Sequence, residues 1–78
     1  MRRLGTVHRI AAGLLVVTAA DADPPPIGTP VIDEHLDTAG RVVDVFGPTE
    51  APYLAVTPDG DENLPQRINE TLYWRPES

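Results

Sequence analysis

Turn-forming residues interrupt this sequence at short intervals, and that spacing is what most limits its fold. Nine Pro and six Gly separate short bursts of β-branched residues, and Val, Ile and Thr together make up 19 of the 78 residues. Pro and Gly disfavour the interior of helices, whereas β-branched side chains favour strands. No segment shows a sustained helical period. The pattern therefore predicts a chain made of short strands and turns.

We predict six strands, at residues 4–9, 14–19, 30–33, 40–46, 53–57 and 71–74. Six short strands without a helix to cover a sheet face would leave sheet edges open, so closure into a small Greek-key barrel is predicted. A chain of 78 residues supports one core at most, so we expect a single all-β barrel domain over residues 1–78.

The fourth and fifth predicted strands differ in how regularly they alternate. In the fifth strand, Leu54 and Val56 share the face that should point inward, which leaves Tyr53 on the outer surface. In the fourth strand both faces carry apolar groups. Either a bulge shifts the register there, or another molecule covers part of the outer face.

The N-terminal segment has two interpretations. Arg2 and Arg3 precede an apolar stretch at residues 10–20, which is the pattern of a secretory signal. Alternatively, Gly13 lies between two β-rich segments, as in a hairpin, and we favour this second interpretation. No run reaches the ~20 apolar residues of a membrane span. Because the chain has no Cys, we expect a reducing, cytoplasmic location.

The charge balance is acidic, with 12 Asp and Glu against six basic residues, all of which are Arg. Such a field opposes phosphate backbones, so broad electrostatic binding to nucleic acid is disfavoured. Acidic surfaces without Lys suit a very salty cytoplasm, where their self-repulsion is screened. We therefore hypothesise a halophilic source.

The candidate chemical sites are weak. Residues 59–63 with Glu70 resemble a calcium loop, but Leu64 stands where the sharp turn needs Gly. His35 lies among acidic residues but lacks a second imidazole. No nucleophile–base arrangement and no phosphate-binding loop can be assembled. We expect no enzyme activity, no metal, no cofactor and no small-molecule substrate.

A small nucleic-acid-binding barrel is the alternative that the residues leave open. Phe46, Tyr53, Tyr73 and Trp74 supply aromatic rings on which bases could stack. The basic residues are scattered along the sequence and outnumbered, which argues against this alternative.

Two stretches carry a resemblance to a known family. Residues 40–48 read GRVVDVFGP, and residues 52–58 read PYLAVTP. The Asp-x-Phe-Gly-Pro turn followed by Pro-Tyr is specific, and weaker similarity continues at residues 3–7, 26–28 and at the end of the chain. On these residues the sequence resembles the Gar subunit of archaeal H/ACA RNA-guided pseudouridine synthase particles. The similarity covers nearly the whole chain, which has no glycine-arginine-rich tail of the eukaryotic kind.

The resemblance implies a six-stranded barrel of the kind found in translation factors and reductases, with no catalytic residue. It also implies that the barrel docks on the pseudouridine synthase catalytic subunit, which is called dyskerin in eukaryotes. There the family influences the mobile thumb loop, and so substrate loading and product release in rRNA modification. Guide RNA and rRNA would then be partners only indirectly, through the complex, and no membrane partner is implied.

The resemblance also points to candidate partner-binding residues, which are Asp44, Phe46, Gly47, Pro48, Pro52 and Tyr53. Gly47 and Pro48 would set a rigid turn, and the two aromatic side chains would fill pockets of the partner. Three structural alternatives stay open: burial of Phe46 in the barrel, an isolated surface position for Tyr53, and a hydrogen bond from the turn backbone to Asp44.

Overall fold

The computed structural model describes residues 1–60 and 64–76, and these residues form a closed barrel of six antiparallel strands. The strands are β1 (Arg2–Ala11), β2 (Leu14–Ala19), β3 (Pro30–Ile32), β4 (Thr38–Phe46), β5 (Tyr53–Pro58) and β6 (Thr71–Trp74). Their order around the barrel is β1-β2-β5-β4-β3-β6, and a short 3₁₀ helix at Leu64–Arg67 precedes β6. The predicted all-β barrel is confirmed.

The first two strands form the hairpin that the sequence favoured. A two-residue loop, Ala12 and Gly13, joins them, with φ angles of 52° and 77°. Positive φ at both positions is the geometry of the tight turn that best matches the twist of paired strands. The apolar residues of this segment therefore lie in a β-hairpin of the barrel.

The core fills the interior of the barrel with aliphatic side chains. Leu54 and Val56 of β5 are fully buried, as the alternation predicted, and Tyr53 is half-buried. Each of the other five strands also contributes at least one side chain without solvent exposure: Val7, Leu15, Val17, Val31, Val42 and Leu72. These branched side chains fill the interior of the barrel by close packing, so we look for a binding site on its outer surface.

A bulge in β4 resolves the irregular alternation of that strand. The register against β5 shifts between Val42 and Asp44, so Val43 is the extra residue. Val42 is fully buried and Val45 packs partly against the core, while Val43 and Phe46 point outward with exposures of 39% and 41%. The bulge is thus one of the two predicted explanations, and it leaves the apolar side chains of Val43 and Phe46 on the outer surface.

The third strand ends one residue earlier than predicted, because Asp33 closes a turn instead. Its Oδ1 atom accepts hydrogen bonds from the backbone N–H groups of His35 and Asp37, at 2.8 and 3.1 Å. Its Oδ2 atom lies 3.5 Å from Arg67, which also bonds Glu70 at 2.6 Å. Burial alone would raise the pKa of Asp33, but these hydrogen bonds and the Arg67 charge outweigh burial and lower it.

Candidate functional site

The aromatic surface, which we define as Phe46, Gly47, Pro48 and Tyr53, lies where β4 ends and β5 begins. Phe46 and Tyr53 are directly paired across the two strands. Their rings are stacked, with centroids 5.6 Å apart and planes 25° from parallel. Phe46 is 41% exposed, so the alternative of burial in the barrel is wrong. The two rings form one apolar platform on the outside of the protein, and Tyr53 is not an isolated surface aromatic.

The backbone of Gly47 lies against one of the two rings, that of Tyr53. Its φ angle is +91°, a conformation that residues with a side chain rarely adopt. A Cβ atom built on Gly47 would lie 2.8 Å from Cδ2 of Tyr53. The backbone at Gly47 therefore packs directly against the Tyr53 ring, and the turn and the ring fix each other's position.

The two prolines of the turn have different surroundings. Pro48 is exposed, and its carbonyl accepts a hydrogen bond from the N–H of Ala51 at 3.2 Å, which closes the turn. Pro52 is buried, and its carbonyl accepts a hydrogen bond from the N–H of Ala19 in β2 at 3.1 Å. Of the two, only Pro48 offers its ring to a partner, while Pro52 attaches the end of the turn to the barrel.

Asp44 follows the β4 bulge and bonds the backbone there. Its Oδ1 atom accepts a hydrogen bond from the N–H of Val45 at 2.8 Å. A bulge leaves a backbone group without its ladder partner, and a short acidic side chain can supply one. The sequence left open a hydrogen bond from the turn backbone to Asp44. Asp44 does accept a backbone hydrogen bond, but the donor, the N–H of Val45, belongs to the bulge and not to the turn at Gly47.

His8 also borders the aromatic surface, which could not be predicted from the sequence. It is the extra residue of a bulge in β1, where the register against β2 shifts between Val7 and Arg9. Its ring centroid lies 6.5 Å from that of Tyr53, with the planes tilted by 42°. His8, Arg9 and the two stacked rings line a cavity of about 240 Å³. Such a cavity could receive one side chain of a partner.

The geometry of the aromatic surface suits binding to a partner. Large aromatic side chains on a rigid support are typical anchors of protein interfaces, since little conformational freedom is lost when they are covered. Within residues 1–60 and 64–76, no three His, Cys, Asp or Glu side chains are grouped to hold a metal ion. His35 bonds Asp33 only through its backbone. Part of the candidate calcium loop, at residues 61–63, lies outside the described residues.

Two comparisons with known proteins bear on this site. The family model described as "Gar1/Naf1 RNA binding region" matches residues 1–78. A protein of Methanothermobacter thermautotrophicus, whose name is given as "Uncharacterized protein", is 30% identical over 76 residues, which cover 94% of this chain and 82% of the relative. In the part of the chain that the structure describes, no helix is long and apolar enough to cross a membrane.

Proposed function

Since the chain belongs to the family of the Gar1/Naf1 RNA binding region, we propose that it is a non-catalytic subunit of an H/ACA ribonucleoprotein. Membership supports a role in RNA binding within such a particle. The finer proposal is that the barrel docks on the pseudouridine synthase subunit and promotes substrate loading and product release in RNA-guided modification of rRNA.

The observation that carries the docking proposal is the exposed, stacked pair of Phe46 and Tyr53. An interface draws most of its affinity from a few large side chains that become fully desolvated. The pair is held by a strand pairing, a mutual stacking contact and the backbone of Gly47. Docking would therefore cover apolar surface without having to order it first.

The net charge of −6 supports the same proposal. A protein with this charge is repelled by an RNA backbone at long range, so association through a protein partner is the easier route into a ribonucleoprotein. The acidic residues would also steer the barrel toward a basic, RNA-binding subunit.

The direct test is size-exclusion chromatography in molar salt. The protein is mixed with the pseudouridine synthase subunit of the same organism, without RNA. A stable stoichiometric complex is expected, because apolar contacts persist when charges are screened. Separate elution, with association only after guide RNA is added, would contradict docking and favour direct RNA binding.

The matched pair Tyr53→Ala and Tyr73→Ala tests the surface itself. Both tyrosines are half-buried, but Tyr53 is in β5 and Tyr73 in β6, which lie three strands apart around the barrel. Tyr53→Ala should weaken docking by about 2 kcal/mol or more, a ~30-fold rise in Kd, because it removes a central anchor. Tyr73→Ala should leave Kd unchanged; equal losses from both would show that Tyr53 does not anchor the interface.

The proposed effect on the reaction is tested separately by kinetics. Adding the protein should raise multiple-turnover pseudouridylation more than the single-turnover rate, because loop motion and product release often limit turnover. Equal acceleration of both would place its effect on the chemical step or on assembly.

A further inference from the structure

A second surface lies on the other side of the barrel, and the docking proposal does not use it. Residues 26–30 and 74–76 line an open groove of about 570 Å³. The groove includes Ile27, which is 64% exposed, and Trp74, the single Trp of the chain. We call this the Trp74 groove.

The Trp74 groove and the aromatic surface do not overlap. Around the ring β1-β2-β5-β4-β3-β6, the strand of Trp74 (β6) is three strands from the strand of Tyr53 (β5) in either direction. In a six-stranded barrel this is the largest possible separation. The other wall of the groove is closer, because Pro30 of β3 pairs with Arg41 of β4, the strand that ends at Phe46, but none of the residues that line the groove belongs to the aromatic surface.

The fold gathers arginines at this groove that are far apart in the sequence. Arg2 pairs with Trp74 across β1 and β6, and its guanidinium carbon lies 5.4 Å from the centre of the Trp74 ring. Arg75 lines the groove directly. Arg41, which pairs with Pro30, donates a hydrogen bond to the carbonyl of Gly28 at 2.6 Å.

The local charge of the groove is therefore opposite to that of the whole protein. Three of the six arginines border it, and the described residues that line it include no Asp or Glu. Arg2 forms an ion pair with Asp21 at 3.4 Å, with both side chains about half exposed. An exposed pair of this kind is weak, so a phosphate could compete with Asp21 for Arg2.

We propose that the Trp74 groove binds a single-stranded segment of RNA, with a base on Trp74 in place of the Arg2 guanidinium and the phosphates on Arg75, Arg2 and Arg41. Aromatic rings flanked by arginines are the usual means by which a protein holds unpaired nucleotides. Charge complementarity favours an anionic partner over a neutral or basic one, and the aromatic ring beside the cations favours RNA among anionic partners, because unpaired bases stack on such rings. The family description names RNA but no surface, and this groove supplies one.

The single Trp allows a direct measurement at the proposed site. A ten-nucleotide oligouridylate, titrated in 50 mM salt, should quench the fluorescence of Trp74 because a base stacks on the indole. Raising the salt to 200 mM should weaken binding about 7- to 18-fold, which is the dependence expected for two to three phosphate contacts on a single strand. A duplex of the same length should quench less. Absence of quenching at about 100 μM oligonucleotide in 50 mM salt would overturn the proposal.

A matched pair of charge reversals separates the groove from a general charge effect. Arg75→Glu and Arg9→Glu change the net charge equally, but Arg75 lines the Trp74 groove and Arg9 borders the cavity beside Tyr53. With labelled RNA, Arg75→Glu should weaken binding about tenfold and Arg9→Glu much less. Equal losses, or a loss with Arg9→Glu alone, would refute the assignment; the second result would place RNA on the aromatic surface.

Trp74→Leu tests stacking while keeping an apolar side chain against the core, which Trp74 partly contacts. It should weaken RNA binding about fivefold or more. The melting temperature of each variant checks the fold, and Arg75→Glu, at an exposed position, gives the result independently if Trp74→Leu melts early. Unchanged affinity in a folded Trp74→Leu protein would contradict the stacking role.

Discussion

The turn at Gly47 gives the sharpest test of how the aromatic surface is held. We predict that Gly47→Ala both destabilises the protein and weakens docking, whereas Gly28→Ala only destabilises it. The two glycines have nearly equal φ angles, +91° and +97°. Alanine in that conformation costs about 1–3 kcal/mol, so each variant should melt several degrees lower than the parent.

The difference between the two variants comes from what the new methyl group would meet. At Gly47 it would lie 2.8 Å from Cδ2 of Tyr53, whereas at Gly28 no atom lies within 4 Å. Carbon atoms in contact are normally about 3.5–4.0 Å apart, so the Tyr53 ring must move by roughly 1 Å in Gly47→Ala. A shift of that size disturbs both the stacking on Phe46 and the fit to a partner.

The assay combines urea unfolding with titration of the synthase subunit. We expect Gly47→Ala to raise the Kd for docking about tenfold or more and Gly28→Ala to leave it within twofold, since the displaced ring is a central anchor. If both variants lose equal stability and neither changes Kd, then Gly47 does not position the ring.

Two further predictions concern stability. The pKa of Asp33 is lowered from 3.8 in the folded state, so its ionised carboxylate stabilises the fold. This contribution to the free energy of unfolding is complete above pH 3.8 and is lost as the pH falls through the lower pKa of the folded state. Asp33→Asn should therefore cost about 1–3 kcal/mol at pH 7, and the gap between the two proteins should narrow below about pH 4; a gap independent of pH would contradict the charge-based role. The second prediction is that Tm rises from 0.1 to 2 M KCl, since salt screens the net charge of −6; a Tm that stays level or falls would count against a halophilic source.

The sequence predicted the barrel well because its local signals agree with one another. Gly13, the prolines and the alternation at Leu54 and Val56 each restrict the backbone within a few residues, and closure follows from the need to satisfy strand edges. All six predicted strands are present, two of them with the predicted ends and the others with ends displaced by at most two residues. The Phe-Gly-Pro and Pro-Tyr motif pointed to Phe46 and Tyr53 individually, but their stacking depends on the pairing of β4 with β5, which the sequence did not predict.

The bulges could not be predicted, because an extra residue is defined only relative to its partner strand. The registers shift at Leu4 and His8 in β1 and at Ala39 and Val43 in β4. Leu4 and Ala39 are buried, whereas His8 and Val43 point outward. The bulge at His8 places its ring 6.5 Å from that of Tyr53, and nothing in the alternation of either strand alone determines which residue is the extra one.

The grouping of the arginines also depends on strand pairing, so it could not be predicted from the sequence. In the sequence they are scattered among twice as many acids, and that balance argued against RNA contact. Barrel closure then brings Arg2 beside Trp74 across β1 and β6, and pairing of β3 with β4 sets Arg41 beside the same groove. Net charge governs the interaction while the two molecules are still apart, to the extent that salt does not screen it, but a bound phosphate within a few ångströms responds to the nearest cations. An acidic protein can therefore be repelled by RNA in dilute solution and still hold a strand once another subunit has brought the two together. In the assembled particle the other subunits hold the RNA close to the barrel, so a contact that is weak in the isolated barrel still contributes to retention of RNA. We therefore expect Arg75→Glu to lower the fraction of RNA that the particle retains, even though the isolated barrel binds RNA only weakly.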